Sequence, residues 1–269
     1  MIASPHVLLP DLAGDLAVAL DPVRLMAKAG MVADPWQRSV LRTGAQQVIM
    51  LASRQSGKSS VSSVLAIHQA VYQPDSLVLV LSPSLRQSQE LYRKTRAIYA
   101  ALGGEVPKPA EESALRLELS NGSRVISLPG KESTVRGFSG ASLLLVDEAS
   151  RVPDALYMAI RPMVAVSGGR IALLSTPFGR RGFFHHEWTE GGDDWHRAMV
   201  TAFDCPRIGR GWLARERARV GEWWFRQEFL VEFVDTDDQV FSSADIAAAL
   251  TADVSPLFPI GGRHATATA

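Results

Sequence analysis

Short, unbroken apolar runs alternate with longer stretches of helical spacing over the first two thirds of the chain. Val48–Leu51, Leu77–Leu81, Leu143–Val146 and Ile171–Leu174 are the apolar runs, the pattern of strands covered on both faces. Ser59–Tyr72, Ser84–Ala101 and Asp154–Val166 have the length and spacing of helices, with Leu85, Leu91, Ile98 and Leu102 apolar in the second and Gly103-Gly104 ending it. Leu115–Leu119 alternates strictly, Asn121-Gly122 follows and Arg124–Leu128 resumes the alternation, which predicts a hairpin because both turn residues tolerate positive φ. Residues 1–34 are helix-prone, with Asp21-Pro22 a helix start, and Asp34-Pro35-Trp36-Gln37 opens a second short helix. Past about residue 204 the apolar runs stop. Trp212–Val220 and Glu222–Phe233 predict two further helices, and Phe225, Phe229 and Phe233 recur every four residues as a packing stripe. Strands separated by helices imply an α/β fold with a mostly parallel central sheet flanked by helices, plus a small C-terminal helical subdomain. Residues 252–269 read as a frayed tail.

The first apolar run leads directly into Ala52-Ser53-Arg54-Gln55-Ser56-Gly57-Lys58-Ser59-Ser60. A strand that delivers the chain to such a loop, followed by a helix presenting its positive end, forms a cradle for phosphate groups. Lys58 has the reach for β- and γ-phosphates, and the Ser59 hydroxyl suits Mg²⁺. The opening position holds Ala52 where glycine is usual, and Arg54 lies inside the loop. The third run ends in Asp147-Glu148. A carboxylate at a strand's C-terminal end suits the Mg²⁺ shell, the role expected of Asp147, and Glu148 beside it suits a general base for the attacking water. The alternative is an acidic pair capping the following turn. The fourth run ends in Ser175-Thr176-Pro177, whose hydroxyls fall at the ligand edge of a parallel sheet, unless they are only a polar strand end broken by proline.

Composition narrows the setting. Of 269 residues, 46% are hydrophobic and 21% charged, ordinary globular usage, and 28 basic residues balance 28 acidic ones. Zero net charge argues against a surface that coats nucleic acid wholesale, although Arg180-Arg181 and the run Arg207, Arg210, Arg215, Arg217, Arg219 offer local backbone contacts; solvated faces and packing between subunits explain these equally well. The single Cys205 excludes an internal disulfide. No run reaches membrane-span length, and Asp11 and Asp15 interrupt the N-terminal segment, so a soluble cytoplasmic protein is expected. His185-His186 with Glu187 suggests metal, but adjacent helical positions diverge.

The ordered series Gln37, Ala52–Ser59, Arg136-Gly137, Leu143–Ala149, Ser175-Thr176-Pro177 and Gly182-Phe183-Phe184 resembles the large terminase subunit of tailed phages, and Phe225–Asp235 is similar to the end of that family's ATPase half. The resemblance implies a P-loop NTPase fold of the RecA/ASCE type. It divides the chain into an N-terminal helical segment (1–45), an ATPase core (46–204), a helical lid (205–240) and a tail (241–269). It implies ATP and Mg²⁺ as cofactors and ATP-driven threading of double-stranded DNA into a procapsid. Self-association into a ring, a portal protein and a small terminase subunit follow as partners. Gln37 then reads adenine, and the loop Ser53, Arg54, Gln55, Ser56, Gly57, Lys58, Ser59 and Ser60 holds the nucleotide. Ser59 and Asp147 serve the metal, Glu148 is the base, and Ser175 and Thr176 couple hydrolysis to movement. Arg54 within its own subunit and Arg136 toward a neighbour compete as the charge-stabilising finger. The family usually continues into a nuclease domain. Asp235, Asp237 and Asp238 stand in what reads as a linker without a strand framework, so cutting activity is expected to be absent. Two other readings remain open: a helicase-like ATPase, and a prophage remnant that binds nucleotide without driving packaging.

Overall fold

A computed structural model describes residues 12–103, 106–130, 137–235 and 243–249. It separates into residues 1–234 and a second unit, 235–269, whose one described helix is Ser243–Ala249.

In the larger unit each fully apolar run forms a strand: β1 (Gln47–Ala52), β2 (Leu77–Ser82), β6 (Leu143–Asp147) and β7 (Arg170–Ser175). The predicted hairpin is β4 (Arg116–Leu119) and β5 (Arg124–Pro129), preceded by β3 (Pro109–Glu112); β8 (Trp195–Val200) completes the sheet. The eight strands run in the order β3-β4-β5-β2-β6-β7-β1-β8. The pairs from β5 to β8 are parallel, and only β3/β4 and β4/β5 are antiparallel. The mostly parallel sheet flanked by helices is the predicted fold class.

Period-two alternation inside the apolar strands sends successive side chains to opposite faces. Val48, Met50, Val78, Val80, Leu143 and Leu145 join one buried cluster, with residues of α1 (Leu12–Leu20), α2 (Pro22–Lys28), α3 (Pro35–Arg42), α4 (Lys58–Tyr72) and α5 (Leu85–Ala101). Ile49, Leu51, Leu79, Leu144, Val146 and Leu173 join the other, with α6 (Asp154–Ile160) and α7 (Gly182–Thr189). Asp21 caps α2 by accepting from the Val23 amide at 3.1 Å, and Ser84 caps α5 through the Gln87 amide at 3.3 Å, satisfying amides that have no partner in a preceding turn.

Three expectations are corrected. The helix predicted over Asp154–Val166 is α at Asp154–Ile160 and then tightens to a 3₁₀ turn at Arg161–Val164, since Pro162 has no amide to donate. The helix predicted over Glu222–Phe233 is α9 (Glu222–Glu228), following α8 (Arg210–Val220). Beyond it, Val231 takes φ 57°, which a helix does not tolerate. The phenylalanine stripe is therefore split. Phe225 and Phe229 pack with Leu213, whereas Phe233 meets Phe184 and the edge of the His185 ring.

Candidate nucleotide site

Strand order and register assemble the site. β7 lies between β1 and β6; Leu51 pairs with Ser175, and Leu174 pairs with Asp147. Residues near positions 52, 147 and 175 thus stand side by side at the carboxyl edge of three parallel strands, the edge where such sheets bind ligands. β8 fixes the loop from the other side, because the Ser53 amide donates to the Val200 carbonyl at 2.8 Å.

The loop then turns sharply. Gln55 has φ 61° and Gly57 φ 100°. The latter φ calls for glycine, and a Cβ there would also push on the end of the Gln37 side chain, 2.7 Å from Nε2. α4 starts at Lys58, and the Ser60 amide already bonds back to the Gly57 carbonyl at 3.1 Å, so the amides ahead of it are the ones with no preceding turn to bond. Lys58 is buried, and its Nζ donates to the Ala52 and Ser53 carbonyls at 2.8 and 3.0 Å. Burial lowers its pKa, opposed by the Glu148 and Asp147 carboxylates. The Ser59 and Ser60 side chains stand half-buried in the first turn. The Ser56 hydroxyl is buried without a hydrogen-bond partner.

Asp147 is buried, and desolvation followed by the neighbouring Glu148 charge raises its pKa to about 6 against the pull of Lys58. Glu148 adopts left-handed backbone at φ 49°, a conformation that costs free energy outside glycine and asparagine and collects at functional sites. Ser150 follows in the same turn: its Oγ lies 2.7 Å from Ser175 Oγ and donates to the Thr176 carbonyl at 2.8 Å, and its amide donates to Ser175 Oγ at 3.1 Å. The Thr176 hydroxyl is buried without a partner. Ser150 was not singled out in the sequence, where a serine after Asp-Glu-Ala carries no spacing signal.

Gln37 is buried, accepts from the Asp34 amide through Oε1 at 2.8 Å and places Nε2 3.5 Å from the Gly57 carbonyl. It lines a cavity of about 670 Å³ with Met26, Met31, Ala33, Gly57 and Arg207. Arg54 is not among the residues lining this cavity. Its Nε donates to Glu228 of α9 at 2.5 Å, and Glu228 also lies 3.9 Å from Arg151. Arg136, like Asp237 and Asp238, lies outside the described residues. Two of the arginines grouped as backbone contacts are engaged within the chain: Arg207 by Asp34 and Arg217 by Glu222. Glu187 is a packing residue, accepting from Tyr157 Oη at 3.1 Å and Trp195 Nε1 at 3.0 Å. No helix among the described residues is long and apolar enough to cross a membrane.

A phosphate-type loop beside a strand ending in Asp-Glu, with a third strand interposed, defines the P-loop NTPase class. The family model for the N-terminal part of the T4likevirus-type terminase large subunit matches residues 49–248, and the chain belongs to that family. A large terminase subunit of Thermus phage G20c is 26% identical over 78% of this chain and 50% of its own length; one from Escherichia phage T5 is 25% identical over 73% and 46%. The chain spans about half the length of these curated relatives. Among solved structures, the large terminase ATPase domain of Thermus phage P74-26 is similar with a TM-score of 0.69 at 22% identity, covering 80% of this chain and 100% of that one. The large terminase of another thermophilic bacteriophage, in complex with ATP-γ-S, is similar at a TM-score of 0.63 and 13% identity, over 75% and 53% of the two chains.

Proposed function

We propose that this chain is the ATP-hydrolysing engine of a phage DNA-packaging motor, using Mg²⁺·ATP to move double-stranded DNA into a procapsid. The observation that carries the reading is the register that sets the phosphate-type loop, Asp147-Glu148 and Ser175-Thr176 at one sheet edge. The buried, unpartnered Ser56 and Thr176 hydroxyls fit polyanion oxygens, and the buried Asp147 carboxylate, once ionised, is the oxygen ligand a hard cation takes.

In this reading the loop amides and Lys58 bind the β- and γ-phosphates, with Ser53, Gln55, Ser56, Gly57 and Ser60 shaping the cradle. Ser59 and Asp147 hold the metal, and Gln37 meets the adenine. Mg²⁺, when bound, offsets charge on the phosphate oxygens as the terminal bond breaks. Glu148 accepts the proton of the attacking water, and its left-handed backbone turns it away from the strand direction followed by Asp147. Ser150 ties that turn to Ser175 and Thr176, so a shift at Glu148 is felt directly at the strand end assigned to coupling. Arg54 and Arg136 remain the two candidates for stabilising the γ-phosphate, Arg54 being paired with Glu228 in this structure. Assembly into a ring, with a portal protein and a small terminase subunit, belongs to the same proposal.

The test is ATP binding and turnover by the purified chain. Lys58→Ala is expected to abolish binding, and Glu148→Gln to bind ATP while losing at least about a hundredfold in rate. Parental turnover by Glu148→Gln would overturn the base assignment.

A further inference from the structure

Four groups close a hydrogen-bonded ring at the mouth of the cavity beside the phosphate-type loop. Arg207 donates from Nη1 and Nη2 to the two Asp34 carboxylate oxygens at 3.0 and 2.7 Å, and from Nη2 to the Ser56 carbonyl at 3.0 Å. The Asp34 amide donates to Gln37 Oε1, and Gln37 Nε2 returns to the Gly57 carbonyl. Asp34 is buried, with its side chain 8% exposed, whereas Arg207 is half exposed.

We infer that Arg207 is a positioning residue that sets which base the site accepts, by fixing the amide orientation of Gln37. This rests on the nucleotide reading proposed above. A glutamine amide can turn over and exchange its oxygen and nitrogen with little change in shape, so only its partners determine which end is which. Here the Asp34 N–H holds the oxygen end, and the backbone of Asp34 is held in turn by the two-pronged grip of Arg207 on its carboxylate. Each amide end of Gln37 then keeps one unused position, an acceptor on Oε1 and a donor on Nε2. That pair complements adenine, which offers an amino donor beside a ring-nitrogen acceptor. It opposes guanine, whose carbonyl oxygen would face Oε1. With Arg207 removed, the Asp34 carboxylate loses its two-pronged partner, the Asp34 amide is held less firmly against Gln37 Oε1, and the side-chain amide turns over more readily. The preference for adenine would fall although Gln37, the side chain assigned to read the base, is unchanged.

Arg207 also spans three segments distant in sequence: the start of α3, the loop before α4, and the turn between β8 and α8. A loss of fold would show in the melting temperature, so base preference and melting are measured together on the full chain. The probes are ATP and GTP, each competing with a fluorescent ATP analogue. Wild type is expected to favour ATP over GTP by roughly tenfold or more, the discrimination of one correct base-edge pair. Arg207→Ala is expected to bring that ratio near one, chiefly by weakening ATP, with the melting temperature within a few degrees of wild type. Arg207→Lys, which keeps the charge but not the fork, is expected to fall between. Gln37→Ala should lose the ratio equally, and adding Arg207→Ala to it should change nothing more. Equal affinity of wild type for both nucleotides, an undiminished ratio in Arg207→Ala, or parallel loss of ATP and GTP binding overturns the inference. A wild-type chain that binds no nucleotide overturns the nucleotide reading itself, whereas an ATP preference that survives in Arg207→Ala leaves that reading standing.

Discussion

Asp147 shows how much one buried group contributes to the balance of this molecule. Its pKa is raised to about 6 from an ordinary value near 3.8, so the native state binds its proton more tightly than the unfolded chain does. Between pH 4 and 6 the native state therefore holds more protons, and stability falls as pH rises through that window. Above it, the ionised carboxylate costs the fold up to about 3 kcal/mol. Asp147→Asn is accordingly expected to melt higher than wild type at pH 7 in nucleotide-free protein, with the gain shrinking toward pH 4. A gain that is the same at both pH values would count against burial as the cause. The residue identities at this site were legible in the sequence, because Lys58, Ser59, Asp147 and Glu148 occur at strand ends with recognisable neighbours. Their partners were not. Nothing in the sequence places Asp34 against Arg207, 173 positions apart, or Arg54 against Glu228, 174 positions apart.

At the scale of elements, legibility followed burial. Strands covered on both faces announce themselves as apolar runs, and all four were readable. β8 was not, because His196 and Arg197 are only half-buried at the sheet's edge and interrupt any apolar run. β3 begins with a proline and is exposed throughout. Yet β8 anchors the loop through Val200, and its first residue, Trp195, is fastened to Glu187 on α7, which also accepts from Tyr157 on α6. Glu187→Ala would leave the two buried donors without an acceptor, at a cost of about 2–4 kcal/mol. We expect urea denaturation to report a loss of that size, with faster amide exchange along β8 than along β6. Glu187→Gln, which keeps one acceptor oxygen and places an amide donor at the other position, should recover only part of it. Helix ends were the other weak point: Pro162 and the left-handed Val231 cut α6 and the stretch after α9 short, and only the second required the folded backbone to be seen.

At the scale of the whole molecule, a motor that works as a ring should depend on neighbours. If Arg136 acts across a subunit boundary, ATP turnover per chain is expected to rise with protein concentration, and Arg136→Ala should flatten that rise while leaving ATP affinity within about twofold. Turnover per chain that is constant from nanomolar to tens of micromolar would speak against shared sites. By itself the sequence determined the four apolar strands and the helices between them, the parallel character of the sheet and the phosphate-type loop after the first strand. Each of these follows from local pattern: period-two burial, helix starts and a short motif after a strand. The tertiary structure alone decided which strands are neighbours, and hence that β7 comes between β1 and β6 with Ser150 tied to Ser175 and Thr176. It also decided that the glutamine beside the loop accepts from the amide of Asp34, whose carboxylate is gripped by a distant arginine. Those outcomes depend on contacts between residues far apart in the chain, where pairing is chosen by packing and hydrogen-bond satisfaction across the folded whole, which no local pattern encodes.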